Sequence, residues 1–186
     1  MDYVKPISNG DPFHVADWGE VTPLHDRCLK ELPGISTSYS VKCNTDPKLI
    51  LHLASIGTGF ECASTAEMKL ILSLRVSADR IIFANLIKTP QALQFACAYG
   101  VIDMTFDNTD ELNKIAEHYP TTNLYWKLKA GDPSAPSSLS DKFGASIPAA
   151  IQLLAWAKDL QLKIVGLTFH FGFHATNYSI YTDAIR

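Results

Sequence analysis

Cysteine is scarce and scattered: Cys28, Cys43, Cys62 and Cys97 form no C-x-x-C pair and no spacing suited to zinc. Neither a disulfide framework nor a structural metal site is expected, and a reduced, cytoplasmic protein is the simplest inference. Charge of one sign is equally lacking, since 16 Lys and Arg stand dispersed among 19 Asp and Glu for a net charge of −3. Without a basic stripe there is no footprint for a phosphate backbone, which leaves small molecules or other proteins as the expected partners. Long hydrophobic runs are missing too. MDYVKPISNG contains no apolar signal core, and the uncharged stretch 164–182 is broken by Gly, His, Thr, Asn and Ser, so neither a signal peptide nor a membrane span is read. Low complexity is confined to 131–138 (GDPSAPSS), whose composition predicts a mobile loop inside one domain.

What is present is a regular alternation. Of 186 residues, 47% are hydrophobic, enough for a sizeable core. Strand-like segments are expected near 38–42, 59–62, 81–84, 103–106, 124–128 and 164–171. Helical periodicity falls between them at 47–56, 66–74, 90–99, 109–118 and 148–160. This is the pattern of a parallel α/β sheet built from βα units, six at most. A closed eight-stranded barrel usually takes about 250 residues, so a (β/α)8 barrel two units short is expected, as one domain over 1–186.

The hexapeptide YSVKCN holds the residue with most to say. The run 37–41 is β-rich, while Asn44, Thr45 and Asp46 supply a turn and an N-cap ahead of Pro47, a residue suited to a first helical turn. Lys42 therefore stands where a strand hands over to a helix, the edge at which parallel α/β folds bind ligands. Partial desolvation there is expected to lower a lysine pKa and ready the amine for Schiff-base chemistry. On position alone, a surface lysine ending a strand is the plainer reading.

The string around Lys42 decides between them. YSVKCN, GTGFECAS, DRIIFAN, MTFDN, LSDKFGA and GLTFHFG follow one another in an order and spacing that closely resemble the eukaryotic ornithine decarboxylase family, from about Asp11 onward. These are pyridoxal-phosphate decarboxylases of fold type III. The resemblance implies an alanine racemase-like (β/α)8 barrel that carries pyridoxal 5′-phosphate as a Schiff base on Lys42. It also implies a second, C-terminal β domain, absent from this chain, and active sites shared across a homodimer. Ornithine as substrate and putrescine as product follow from the same resemblance alone.

Other site residues can be weighed on the sequence. Glu61 and Glu67 flank the second strand-to-helix transition in GFECASTAEM, and a carboxylate beside a pyridine nitrogen keeps it protonated so that the ring accepts electrons. Ser64 with Glu67 also fits a capping box. By resemblance, Glu67 holds the position of the pyridinium partner, and Glu61 one where the family usually has aspartate. His170 in TFHFG is expected to cover a face of the ring, against the alternative of a buried core histidine. His170 and His174 are four apart but read as strand and turn, so a zinc pair is rejected. Gly57 and Gly59 fit a turn before a strand better than a phosphate cradle.

Three departures from the family pattern stand out. Gly172-Phe173-His174 replaces a glycine-serine-glycine run at the cofactor phosphate, where Gly172 remains and the bulk of Phe173 is expected to weaken binding. Lys127 stands in place of an arginine near the ring, keeping the charge without the planar fork. Leu86-Ile87 replaces a proline-cysteine pair. The family's phosphate loop after strand seven, its proton-donating cysteine and its substrate-binding acids have no counterpart in these residues. Two functions are thus expected: an ornithine decarboxylase or its N-terminal part, and a non-catalytic homologue comparable with antizyme inhibitor, acting by association with an antizyme-like regulator.

Overall fold

The computed structural model describes residues 15–130 and 143–171, together with Ser179 and Thr182. The sequence readings for 131–138 and for Gly172, Phe173 and His174 lie outside the described residues. Two compact units are resolved, with the division after Thr37.

The first unit contains a short 3-10 turn, Trp18–Glu20, capped by the Asp17 carboxylate, and helix α1, Val21–Glu31. The sequence reading has no helix here, although Val21, Leu24, Cys28 and Leu29 follow helical spacing; α1 buries none of its residues fully. His25 Nε2 lies 2.9 Å from Thr37 Oγ1.

The second unit is a six-stranded parallel sheet with strands in chain order. It comprises β1 (Ser38–Ser40), α2 (Pro47–Ser55), β2 (Gly59–Cys62), α3 (Thr65–Ser73), β3 (Ile81–Phe83), α4 (Pro90–Tyr99), β4 (Asp103–Phe106), α5 (Thr109–His118), β5 (Asn123–Lys127), α6 (Ile147–Asp159) and β6 (Lys163–Thr168). Every neighbouring pair is parallel. A sheet that never reverses its strand order has no topological switch point, which separates it from doubly wound folds and matches the winding of a βα barrel. Consecutive helices touch (α3 on α4, α4 on α5, α5 on α6), as they must when all lie against one face of the sheet.

Local chemistry explains the helix starts. Asp46, Ser64, Thr89, Asn108 and Ser146 each accept a backbone N–H from the first turn of the helix that follows; α2 and α4 open with proline, and α6 has one at its second position. Gly100 ends α4 in the left-handed region at φ +73, a conformation that favours glycine. Between helices and sheet, Phe60, Phe83, Phe106, Met104, Ile71, Leu93, Leu112 and Ile115 are essentially sealed from solvent. Each such side chain contributes about 1.5–3 kcal/mol by burial. The strand period does the sorting: Phe60 and Cys62 point into this layer, which turns Glu61 to the opposite face.

Candidate active site

The opposite face of the sheet, at the ends where strands give way to helices, opens into a cavity of about 210 Å³. Lys42, Glu61, Asn85, Leu86, Lys127, Phe143 and His170 line it, with Ala63, Ala84 and Ala130 leaving room between them. A second cavity of about 330 Å³ shares Glu61, Ala84, Lys127 and His170 and extends to Thr105 and Tyr125. Four of the sequence-predicted site residues, Lys42, Glu61, Lys127 and His170, are therefore brought together from β1, β2, β5 and β6.

Each is placed by its own local device. β1 stops at Ser40, shorter than the sequence pattern suggests, and Val41–Cys43 tighten into a 3-10 turn that carries Lys42. Val41 is fully buried and anchors the turn. Tyr39 hydroxyl donates to Asn44 O at 3.2 Å, Asn44 Oδ1 accepts from Asp46 N at 2.9 Å, and Asp46 caps α2, so turn and helix form one hydrogen-bonded unit. Lys42 itself is exposed. Lys127, by contrast, remains within a strand. Burial pushes the half-buried Lys127 amine below the ordinary lysine range, and the Lys42 charge adds to this against Glu61 and Asp107.

On β6, the pairing slips beside Leu124 and Tyr125, so that Gly166 lies opposite Tyr125 and Thr168 opposite Lys127. The slip makes Val165 the extra residue and sets Gly166, Thr168 and then His170 on the cavity side. A Cβ on Gly166 would meet the Tyr125 ring at 3.1 Å, which explains the glycine. His170 lies two residues past the end of β6. Partial burial, then the Lys127 ammonium and the Lys42 charge, push its imidazole below the ordinary histidine range, with Glu61 opposing. The ring is consequently neutral at pH 7.

Glu67 does not join the cavity. Its Oε2 accepts the Ala63 N–H at 2.6 Å while its own N–H donates to Ser64 Oγ at 3.2 Å, a capping-box-like pair whose return bond falls one residue before the N-cap. One carboxylate oxygen thus fixes the turn that presents Ala63, a capping role that does not exclude the one read for Glu67 at a ring nitrogen. Among the described residues, no hydrogen bond or ion pair engages the side chains of Lys42, Glu61 or Lys127. Gly172 lies outside the described residues.

The sequence reading assigned no role to Asn85 or Phe143, although both lie in quoted motifs, DRIIFAN and LSDKFGA, at the cavity end of the sheet. Asn85 Nδ2 donates to Ala63 O at 3.1 Å and ties two rim loops together. Phe143 is held through its neighbour, since Gly144 N donates to Asp107 Oδ2 at 3.0 Å and Ala145 pairs with Leu128. Gly144 has φ +95, and a Cβ there would lie 2.7 Å from Lys129 N; only glycine permits this return of the chain.

Two amines that no described residue pairs, one carboxylate and a neutral imidazole around a small-walled cavity suit an aldehyde-bearing, anionic cofactor. Comparison with known proteins agrees. The chain is 42% identical over 176 residues to ornithine decarboxylase of Neurospora crassa, covering 95% of this chain and 36% of that protein. It is 38% identical to antizyme inhibitor 2 of Xenopus laevis, over 100% of this chain and 41% of that one. The chain thus spans about two fifths of the length of these curated relatives. Among solved structures, arginine decarboxylase of Paramecium bursaria Chlorella virus superposes with a TM-score of 0.87 at 36% identity, covering 90% of this chain and 46% of that one. Six parallel strands in chain order suit such a barrel, and residues 18–186 match the pyridoxal binding domain of the pyridoxal-dependent decarboxylases, the family to which this chain belongs.

Proposed function

We propose that the chain supplies the cofactor-binding part of a decarboxylase that converts ornithine to putrescine. The observation that carries this is the single cavity in which Lys42, Glu61, Lys127 and His170 converge. Bound there, pyridoxal 5′-phosphate supplies an electron sink for the carbanion left when the substrate carboxylate departs as carbon dioxide. Lys42 is the amine that holds the cofactor's aldehyde, exposed enough to exchange places with an incoming amino group. Glu61 places a negative charge beside the two lysines and keeps a proton on a neighbouring basic nitrogen. His170, neutral at pH 7, presents an aromatic face without adding a third cation. Leu86 and Phe143 exclude water from the rim. Ornithine is favoured as substrate by the Neurospora crassa relative; the fold alone does not choose, since the viral neighbour is named for arginine. A second β domain contributed by the rest of a longer protein, homodimerisation and a cytoplasmic location belong to the same reading. No described helix is long and apolar enough to cross a membrane.

Incubation with pyridoxal 5′-phosphate, borohydride reduction and peptide mapping test the assignment. The reduced adduct is expected on the Lys42 peptide, and ornithine added before reduction should lower its yield at lower concentration than lysine or arginine. Wild-type protein with no adduct at Lys42 at saturating cofactor would sink the catalytic reading. It would favour association with a regulator instead, the reading that the antizyme inhibitor 2 relative supports.

A further inference from the structure

Two lysines, not one, line the 210 Å³ cavity. Lys127 closes β5 and reaches the same space as Lys42, which stands on the turn after β1. Carbonyl chemistry asks three things of an amine: access to the carbonyl, no competing partner, and a supply of the unprotonated form. Lys127 lines both cavities, so access is met. Among the described residues, no hydrogen bond or ion pair takes its ammonium. Desolvation, its largest influence, favours the neutral amine, and the nearby Lys42 charge favours it further; Glu61 and Asp107 act the other way.

We propose that Lys127 is a second carbonyl-reactive amine in this cavity, able to take an aldehyde-bearing ligand when Lys42 does not. The inference rests on the cavity being an aldehyde site, as read above. In the step, the neutral Lys127 nitrogen attacks the carbonyl carbon. The carbonyl oxygen then leaves as water with both amine protons, and a C=N bond remains. No oxidant or reductant is consumed. Subsequent borohydride adds hydride to carbon while water protonates nitrogen, fixing the adduct as a secondary amine. The site would thus accept the cofactor in two attachments, only one of which is at the lysine read as catalytic.

The test uses the full 186-residue chain and pyridoxal 5′-phosphate as probe, with reduction, digestion and fragmentation spectra that separate Lys127 from Lys129. In the wild-type chain, Lys127 should be labelled several-fold above the exposed Lys129 and Lys163. In Lys42→Ala the Lys127 label should persist or increase. In Lys42→Ala with Lys127→Arg the total label should fall to what the surface lysines carry, because a guanidinium keeps the charge but is not deprotonated. Label at Lys127 no higher than at Lys129 in the wild-type chain overturns the proposal without relying on any variant to fold, and the same result in a folded Lys42→Ala chain overturns it independently. Loss of label at Lys42 alone would strike the catalytic reading and leave the Lys127 result standing, since the two are read from different peptides.

Discussion

Around the imidazole of His170, the charges act in known directions: the Lys127 and Lys42 ammonium groups depress its pKa, and the Glu61 carboxylate raises it. Deleting either kind of charge therefore moves the titration in opposite senses. Lys127→Met should raise the midpoint of His170 toward that of an unperturbed histidine. Glu61→Gln should lower it further, because the opposing carboxylate is gone while burial and both cations remain. The imidazole proton shifts of His170, followed by NMR across pH 4 to 8, read both changes. Movement in the same direction for the two variants would show that these side chains act through folding rather than through charge. The residue scale also accounts for Cys62. Its thiol lies in the apolar layer next to Glu61, and burial, then Glu67 and Glu61, push it up to about 12, so it packs as a small hydrophobe and stays inert.

Between elements, the rim of the cavity depends on a charge network that the site does not use. Lys88, fully buried in the loop before α4, places its Nζ 3.0 Å from Glu111 Oε1 on α5 and donates to Asn85 O at 3.0 Å and Thr105 O at 2.7 Å. Lys114 pairs with Glu111 Oε2 at 2.6 Å and donates to Lys88 O at 2.6 Å. Through Asn85, the network fixes the loop that lines the cavity. Removing one member of a buried pair strands the other's charge, so Glu111→Gln should cost about 3–5 kcal/mol. Lys88→Met should cost less, because Lys114 still serves Glu111, and Lys114→Met, at a side chain 30% exposed, about 1 kcal/mol or less. Urea midpoints at constant m-value give the order, and an equal effect of all three would mean that the network is not the anchor. Nothing in the sequence marks Lys88, since a lysine in a loop before a helix reads as solvated and its partner lies 23 residues away. The helices were legible for the opposite reason: caps and prolines are local, and 90–99 and 109–118 match α4 and α5 residue for residue. Strand ends were drawn too long where apolar side chains continue past the pairing, at Val41 and at Phe169 to Phe171. Lys42, Lys127 and His170 were readable because each sits at or just past the end of a strand, and Glu61 because strand alternation turns it to the same face, while the capping role of Glu67 was legible from its spacing after Ser64.

At the scale of the whole sheet, what remains uncovered decides how the chain behaves. β1 and β6 each pair on one side only among the described residues, and such edges offer unsatisfied N–H and C=O groups to another chain. Beside β6, α6 is apolar on two faces. Ala150, Leu153 and Ala157 are buried, while Ile147, Ile151 and Leu154, spaced four and three apart on the other face, are 68%, 70% and 41% exposed. Val165 and Leu167 on β6 add to the exposed apolar surface at 41% and 48%. Monomers seldom carry a continuous patch of this kind. The 186-residue chain expressed by itself should therefore self-associate, eluting ahead of a 20.5 kDa monomer on size-exclusion chromatography with multi-angle light scattering. Ile147→Lys, Ile151→Glu and Leu154→Lys combined should move it toward the monomer with circular dichroism unchanged, because these side chains contribute little to the core that α6 covers. A wild-type chain that runs as a monodisperse monomer, or a triple variant that associates as before, would show that the α6 face is not what drives association and would leave the β1 and β6 edges as the surfaces to block.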